Sequence, residues 1–181
     1  MFATYSKHIV VYALGVFAMV SQTLLFREFL TSFESDDIAV SVFFGSWFLW
    51  IAVSANFAQI LTRRAAKFAE GFETKLLLYI PAFAVQYVLI LEVRRMAGVA
   101  AYEIFPLWKM ILWAVIVNAP VSFATGFLFP VACEWMRGAR MPVSQAYVLE
   151  TAGCFAGGLA VTAMLYYGCS FVFIFFCVSI L

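Results

Sequence analysis

Charged residues are scarce in this sequence. They make up 12% of its 181 residues, and 66% are hydrophobic, whereas a soluble domain has about 25% charged residues. A soluble chain of this length could not bury so much apolar surface. The net charge is only +1, so the chain has no basic field to attract nucleic acid. The composition therefore predicts a protein whose immediate partner is the lipid bilayer.

Ligands for cofactors and metals are equally scarce. His8 is the single histidine, so one copy of the chain cannot supply a bis-histidine haem site. No C-x-x-C motif, P-loop or G-x-G-x-x-G motif is present, and no His/Cys/carboxylate cluster has metal-ligand spacing. We expect no catalytic residue, no metal site and no cofactor on this chain itself. Whether a partner supplies a cofactor stays open.

Long apolar runs dominate the chain. A membrane-spanning helix needs about 20 apolar residues, and five segments are predicted to span: 8–33, 38–61, 76–91, 107–133 and 143–166. A sixth run, 169–181, is too short to cross, so we expect the natural protein to continue beyond Leu181. The predicted fold is an all-α, polytopic transmembrane helix bundle, with residues 1–181 forming one domain of five full spans and a sixth that is cut short.

The loops differ in basic charge. On one side of the predicted bundle are Lys7, Arg63, Arg64, Lys67, Lys75, Arg137 and Arg140, and on the other are Arg94, Arg95 and Lys109. Cytoplasmic loops carry the excess of Lys and Arg. We therefore expect the N-terminus to lie in the cytoplasm.

The fifth segment carries an acid within a stripe of small residues. Glu150, Gly153 and Gly157 share one helical face, and Gly158 follows directly. Small residues allow close helix approach, so these glycines, with Gly45 of the second segment, are predicted helix-packing positions. Glu150 is expected to face protein and to form a structural hydrogen bond. A role in binding a ligand or a proton is the alternative.

Other polar residues are predicted inside the membrane. Asn56 and Gln59 lie on one face of the second segment, and we expect both to meet Glu150 at a similar depth. Gln22 is expected to hydrogen-bond across a helix contact. Asn118 lies in the fourth segment, where Pro120 and Pro130 predict a kinked helix.

Charges near the end of the first segment have another expected role. Arg27 lies about 28 Å along its helix from His8, at 1.5 Å per residue, and therefore close to the outer interface. A structural ion-pair cluster is predicted there, with Glu28 meeting Arg94 or Arg95 and Glu92 as a partner for Arg27.

Three stretches carry a resemblance to a known family. "QTLLFREFLTSF", "GFLFPVACEW" and "VSQAYVLETAGCFAGGLAVT" resemble membrane segments of spermidine-synthase-like bacterial integral membrane proteins. The matching positions are Phe129, Pro130, Tyr147, Glu150, Gly153, Gly157 and Gly158. The resemblance covers about residues 10–166 and implies a polytopic bundle in the bacterial inner membrane. Family members often carry a soluble synthase domain after these helices; this sequence contains none, so aminopropyl transfer is not implied.

Three functions are compatible with these patterns. The first is a non-catalytic membrane subunit or anchor that assembles with partner subunits or as a homo-oligomer. The second is a carrier for a small solute, such as a cation or polyamine, with Glu150 in the site. The third is a quinone- or lipid-contacting subunit of an electron-transfer complex. The scarcity of cofactor ligands and the small-residue faces favour the first.

Overall fold

The computed structural model describes residues 2–33, 36–138 and 141–179. Within these ranges the helices are α1 (Phe2–Phe33), α2 (Asp37–Arg64), α3 (Phe72–Lys75), α4 (Tyr79–Met96), α5 (Leu107–Val117), α6 (Ala119–Arg137), α7 (Val143–Tyr166) and α8 (Phe171–Ser179). Short 3-10 turns, Ala66–Ala69 and Leu76–Leu78, lie between α2 and α4. These ranges contain no strand, which confirms the all-α prediction. Arg140 and Leu181, both named in the sequence predictions, lie outside the described residues.

Four helical stretches are long and apolar enough to cross a membrane: Ser6–Phe33, Asp37–Arg64, Phe72–Met96 and Val143–Tyr166. A fifth candidate combines α5 and α6, which are bent by 47° at their junction. These lengths and compositions are consistent with an integral membrane protein. The nine-residue α8 covers the described part of the sixth predicted segment.

A buried amide network holds the bend between α5 and α6. The bend lies at Asn118, just before Pro120, whose ring is incompatible with an uninterrupted helix. Gln86 of α4 donates to Asn118 Oδ1 (3.2 Å) and accepts from the backbone N–H of Val121 (2.9 Å). Asn118 in turn donates to Ser46 Oγ of α2 (2.7 Å). These side chains supply partners at the start of α6, where helical hydrogen bonds are missing.

The closest helix pair is α1 with α7, which touch through glycine. A Cβ on Gly15 would overlap the carbonyl oxygen of Glu150, and a Cβ on Gly153 would overlap that of Tyr12. One on Gly157 would lie 3.0 Å from Val16 O. The residue numbers of the contacting positions increase together along the two helices, so α1 and α7 run parallel.

A second close pair joins α2 and α6. A Cβ on Gly126 would lie 2.6 Å from Ile51 Cα and would also overlap Ser54 Oγ. Earlier along the pair, Asn118 contacts Ser46, so these helices also run parallel. Trp50 Nε1 adds a hydrogen bond to Val115 O of α5 (2.7 Å).

The connections gather at two opposite ends of the bundle. At one end Lys7 Nζ donates to Trp135 O (3.0 Å), and the Gln145 amide contacts the His8 ring (3.0 Å). At the other end Arg94 donates to Ser32 O (3.0 Å). The start of α1 therefore shares an end with the last turns of α6 and the start of α7.

Glycine at the α1–α7 contact can be tested against an open glycine. Gly153→Ala should lower the free energy of unfolding by about 1–3 kcal/mol, because the methyl group overlaps backbone that cannot move aside cheaply. Gly45 is the matched control, since a Cβ there meets nothing within 4 Å, and Gly45→Ala should gain helix propensity. Thermal unfolding in detergent measures both; equal melting temperatures for the two variants would contradict the close contact.

Candidate functional site

A cavity of about 510 Å³ lies between the two close helix pairs. Its lining comes from all four helices: Ala18, Met19 and Gln22 of α1; Trp47, Ile51 and Ala55 of α2; Thr125, Gly126, Phe129 and Pro130 of α6; and Tyr147, Glu150 and Cys154 of α7. We call this the central cavity. Its volume falls within the roughly 300–1,000 Å³ typical of small-molecule sites.

Glu150 is the acidic group of the central cavity. The side chain is half-buried, and its Oε1 accepts a hydrogen bond from the thiol of Cys154, one helical turn further along α7 (3.3 Å). A carboxylate has about four lone-pair sites, and a thiol is a weak donor. Most of the acceptor capacity of Glu150 therefore remains for a ligand.

Gln22 faces the same space from α1. It is half-buried, and the described part of the chain provides no hydrogen-bond partner for its amide. The predicted bond across a helix contact is therefore absent, and the side chain lies at the cavity. An amide has two donors and one acceptor oxygen, so Gln22 can bind either polarity of ligand group.

The α6 wall is polar through its backbone as well as its side chains. Thr125 Oγ1 accepts from the hydroxyl of buried Tyr79 (3.0 Å) and donates to Val121 O (2.9 Å), so its proton is already used. Pro130 has no N–H, and the carbonyl of Gly126 therefore lacks its usual helical donor. Gly126 and Pro130 both line the central cavity.

Aromatic rings make up much of the remaining wall. Trp47, Phe129 and Tyr147 line the cavity, and the rings of Phe129 and Tyr147 meet edge to face with centroids 4.7 Å apart. Faces of such rings attract cations, Trp most strongly. Of the described residues that line the cavity, Glu150 is the one acid, and none is Lys, Arg or His. The site therefore favours positive charge attached to an apolar body.

One end of the space between α1 and α2 is closed by packed phenyl rings. Phe26 lies one turn beyond Gln22, with its ring 4.8 Å from Phe43 and 5.3 Å from Phe44. Phe29 packs on Phe43 as well, at 5.1 Å. This aromatic cluster lies on the side of the cavity toward the connection between α1 and α2.

The expected meeting of Asn56 and Gln59 with Glu150 is wrong. Asn56 is exposed and donates to Ala52 O of its own helix (2.7 Å), and Gln59 is also exposed. From Ser41 to Asn56 the small and polar stripe of α2 points away from the bundle, because the other face of α2, with Gly126 against Ile51, is the one that packs. Gln59 lines a separate, smaller cavity. Neither amide lines the central cavity.

The expected ion-pair cluster is also largely absent. Glu92 pairs with Arg95 of its own helix (3.3 Å), whereas within the described ranges neither Arg27 nor Glu28 has an ion-pair partner. Arg94 instead donates to backbone carbonyls, among them Ser32 O and Ala100 O (both 3.0 Å). Arg27 is exposed, as a side chain that extends toward an interface would be.

The glycines predicted for helix packing divide into two groups. Gly153 and Gly157 lie against α1, and a Cβ on Gly158 would touch the Met19 side chain at 3.5 Å, an ordinary contact. Gly45 is exposed and has open space beside it, so the prediction that it packs within this chain is wrong. Asn118, a further predicted polar residue, is buried in the bend and does not line the cavity.

Several residues that matter here were not singled out from the sequence. Gly15 and Gly126 make the two close helix contacts, and Gln86 completes the bend. Gly15 lies seven residues before Gln22, on the same helical face, which is a usable signal. Gln86 lies in an otherwise apolar run, where a lone amide indicates a buried partner.

Comparison with known proteins adds no assignment. No family model matches the chain, and neither the curated proteins nor the solved structures give a match. In the described ranges no three His, Cys, Asp or Glu side chains group as metal ligands would. Function is therefore inferred from the geometry and charge of the central cavity.

Proposed function

We propose that the protein is a membrane carrier for small organic cations, such as amines and polyamines, and that Glu150 binds the cationic group. The observation that carries the proposal is the central cavity itself, which is lined by one carboxylate and three aromatic residues and by no basic residue. An ammonium group can pair with Glu150, while its carbon chain lies against Trp47 and Phe129. Gln22 offers a second polar contact on the same side of the cavity, because α1 packs directly against α7.

The arrangement of helices supports transport more than fixed binding. The half of the chain up to Met96 supplies α1 and α2, and the half from Leu107 supplies α6 and α7. Each close pair takes one helix from each half, and both pairs are parallel. The α1–α7 pair and the α2–α6 pair run in opposite directions. If α6 takes the place of α1 and α2 takes the place of α7, one pair is therefore converted into the other, inverted. Inverted repeats with a site at their interface are common in secondary transporters.

A second candidate function is assembly through α2. Its outward face presents small and polar residues: Ser41, Gly45, Ala52 and Asn56 are all exposed. Small residues let another helix approach, and an amide facing hydrocarbon gains from a partner across that contact. This observation supports the proposal that a partner subunit or a second copy of the chain covers this face.

We place the protein in a bacterial inner membrane, with the N-terminus in the cytoplasm. Lys7 lies close to Trp135 near the end of α6, and Arg137 follows one half-turn later. These basic residues therefore share one end of the bundle. The positive-inside rule assigns that end to the cytoplasm.

Binding of an amine should depend on the charge of Glu150. Glu150→Gln keeps the shape and an acceptor for Cys154, so the variant should fold; yet loss of the charge partner should weaken binding of spermidine or putrescine by more than about tenfold. Titration calorimetry of the purified protein measures this. Glu28→Gln is the matched control, since Glu28 lies outside the cavity. Equal affinity of wild type and Glu150→Gln, or no amine binding by wild type, would contradict the proposal.

Assembly through α2 should depend on Gly45. Gly45→Leu places a large side chain on the outward face, where a Cβ meets nothing within 4 Å, so the single chain should still fold. The mass of the particle in mild detergent should drop to that of one chain if α2 is the interface. A wild-type protein that already runs as a single chain, with no partner recovered, would rule out this second function.

Orientation can be measured with a single engineered thiol. Thr74 is exposed at the end that contains Lys7, so Thr74→Cys should resist impermeant maleimides in intact cells and react after the membrane is opened. Labelling of intact cells would reverse the orientation.

A further inference from the structure

A second cavity lies beside the central cavity, toward the basic end of the bundle. Its volume is about 310 Å³, and its lining comprises Gln59, Thr62, Arg63, Phe129, Pro130, Cys133, Glu134, Arg137, Val143 and Tyr147. We call it the vestibule. It contains charged side chains, among them the ion pair of Arg137 with Glu134 (2.9 Å), whereas the central cavity contains one acid. The vestibule is therefore the more aqueous of the two spaces.

The two cavities follow each other along the same helical faces. On α7, Val143 lines the vestibule, Tyr147 lines both cavities, and Glu150 and Cys154 line the central cavity. This spacing of i, i+4, i+7 and i+11 is one continuous stripe, about 16 Å long at 1.5 Å per residue.

One face of α2 also lines both cavities, but along its sequence the central cavity comes first and the vestibule second. Ile51 and Ala55 line the central cavity, and Gln59 and Arg63 line the vestibule. Four-residue steps keep all of them on neighbouring turns of one face. Two helices therefore define a common line from the basic end of the bundle to Glu150.

Three residues line both cavities: Phe129, Pro130 and Tyr147. The rings of Phe129 and Tyr147 are in contact at 4.7 Å between centroids, with their planes at 64°. Tyr147 is 56% exposed, so its ring has room to rotate away, whereas a fully packed ring would not. Pro130 fixes the backbone beside Phe129.

We propose that a ligand reaches Glu150 from the vestibule and that the Phe129–Tyr147 ring pair is the gate between the two cavities. The identity of the ligand rests on the proposed function; the gate itself does not. At the far side of the central cavity, the cluster of Phe26, Phe43 and Phe44 closes the space with several packed rings. A route from Glu150 toward the basic end thus passes a single ring pair, whereas a route toward the opposite end meets several packed rings.

The charge of the vestibule is compatible with this route. Glu134 offsets Arg137, which leaves Arg63 as the basic residue that a cation would pass. Arg63 is exposed, and salt screens exposed charges over about 8–10 Å. Selection for a cation therefore falls to Glu150, behind the ring pair.

Two native thiols report on the gate. Cys133 lines the vestibule and Cys154 the central cavity, and both are half-buried. In a protein with Cys169→Ser and Cys177→Ser, a bulky maleimide should modify Cys133 and leave Cys154 unmodified, as peptide mass spectrometry would show. Modification of both thiols at one rate would overturn the gate.

Removal of one ring should open the path. Tyr147→Ala should raise the rate of Cys154 modification by a small methanethiosulfonate about fivefold or more, the factor that corresponds to one aromatic pair. The modification rate of each thiol in a variant is compared with the rate of the same thiol in the protein with intact rings, so its intrinsic reactivity cancels. Tyr147→Phe keeps the ring and should leave the rate unchanged.

The outcomes separate the gate from the ligand. An unchanged Cys154 rate in both Tyr147→Ala and Phe129→Ala, with wild-type melting temperatures, would overturn the gate. If one variant unfolds, the protein with intact rings still tests the gate: the bulky maleimide and the small methanethiosulfonate are compared at Cys154. All labelling is done without amine, so failure of amine binding would overturn the ligand class and leave the gate standing.

Discussion

The central cavity exists because two pairs of helix backbones touch without side chains between them. Lipid tails are as apolar as the helices, so association in a membrane comes from close packing and not from the hydrophobic effect. Gly15 and Gly153 allow this for α1 with α7, and Gly126 allows it for α2 with α6. Each pair is then a stiff unit. Between the pairs, larger side chains such as Trp47 and Phe129 keep the backbones apart, and the space that remains is the cavity.

The polar residues divide by whether their hydrogen bonds are complete. Gln86 and Asn118 have protein partners on two helices and are buried, which makes them part of the framework of the bend. Glu150 and Gln22 retain acceptors and donors that no described residue fills. Unfilled polar groups are costly in an apolar interior, so a cavity that can admit water or a ligand is the environment in which they are tolerated. Completeness of hydrogen bonding thus separates the amides that hold the bend from the amide that lines the cavity.

Composition and periodicity were enough to predict an all-α bundle and the approximate limits of the long apolar helices, because both depend on local sequence. The glycine spacing near Glu150 also indicated the contact face of α7. Periodicity did not show which way a stripe points. Ser41, Gly45 and Asn56 form a stripe as regular as that of α7, yet it faces outward, because the other face of α2 packs against Gly126 of α6. That choice is made by a residue far away in sequence. It explains why the expected site of Glu150, Asn56 and Gln59 was wrong while its acidic member does line a cavity.

The two ends of the central cavity differ in how much packing holds them closed. Toward the α1–α2 connection, Phe29 and Phe43 are fully or almost fully buried, and several ring contacts would have to separate together. Toward the basic end, one ring of the closing pair is already exposed. Aromatic contacts contribute roughly 0.5–1.5 kcal/mol each beyond their area, so opening the first end costs several times as much as opening the second. In the proposed carrier, a cycle that exposes Glu150 alternately to both sides would need the stiff pairs to tilt against each other at the phenyl cluster, whereas rotation of a single side chain would be enough at Tyr147.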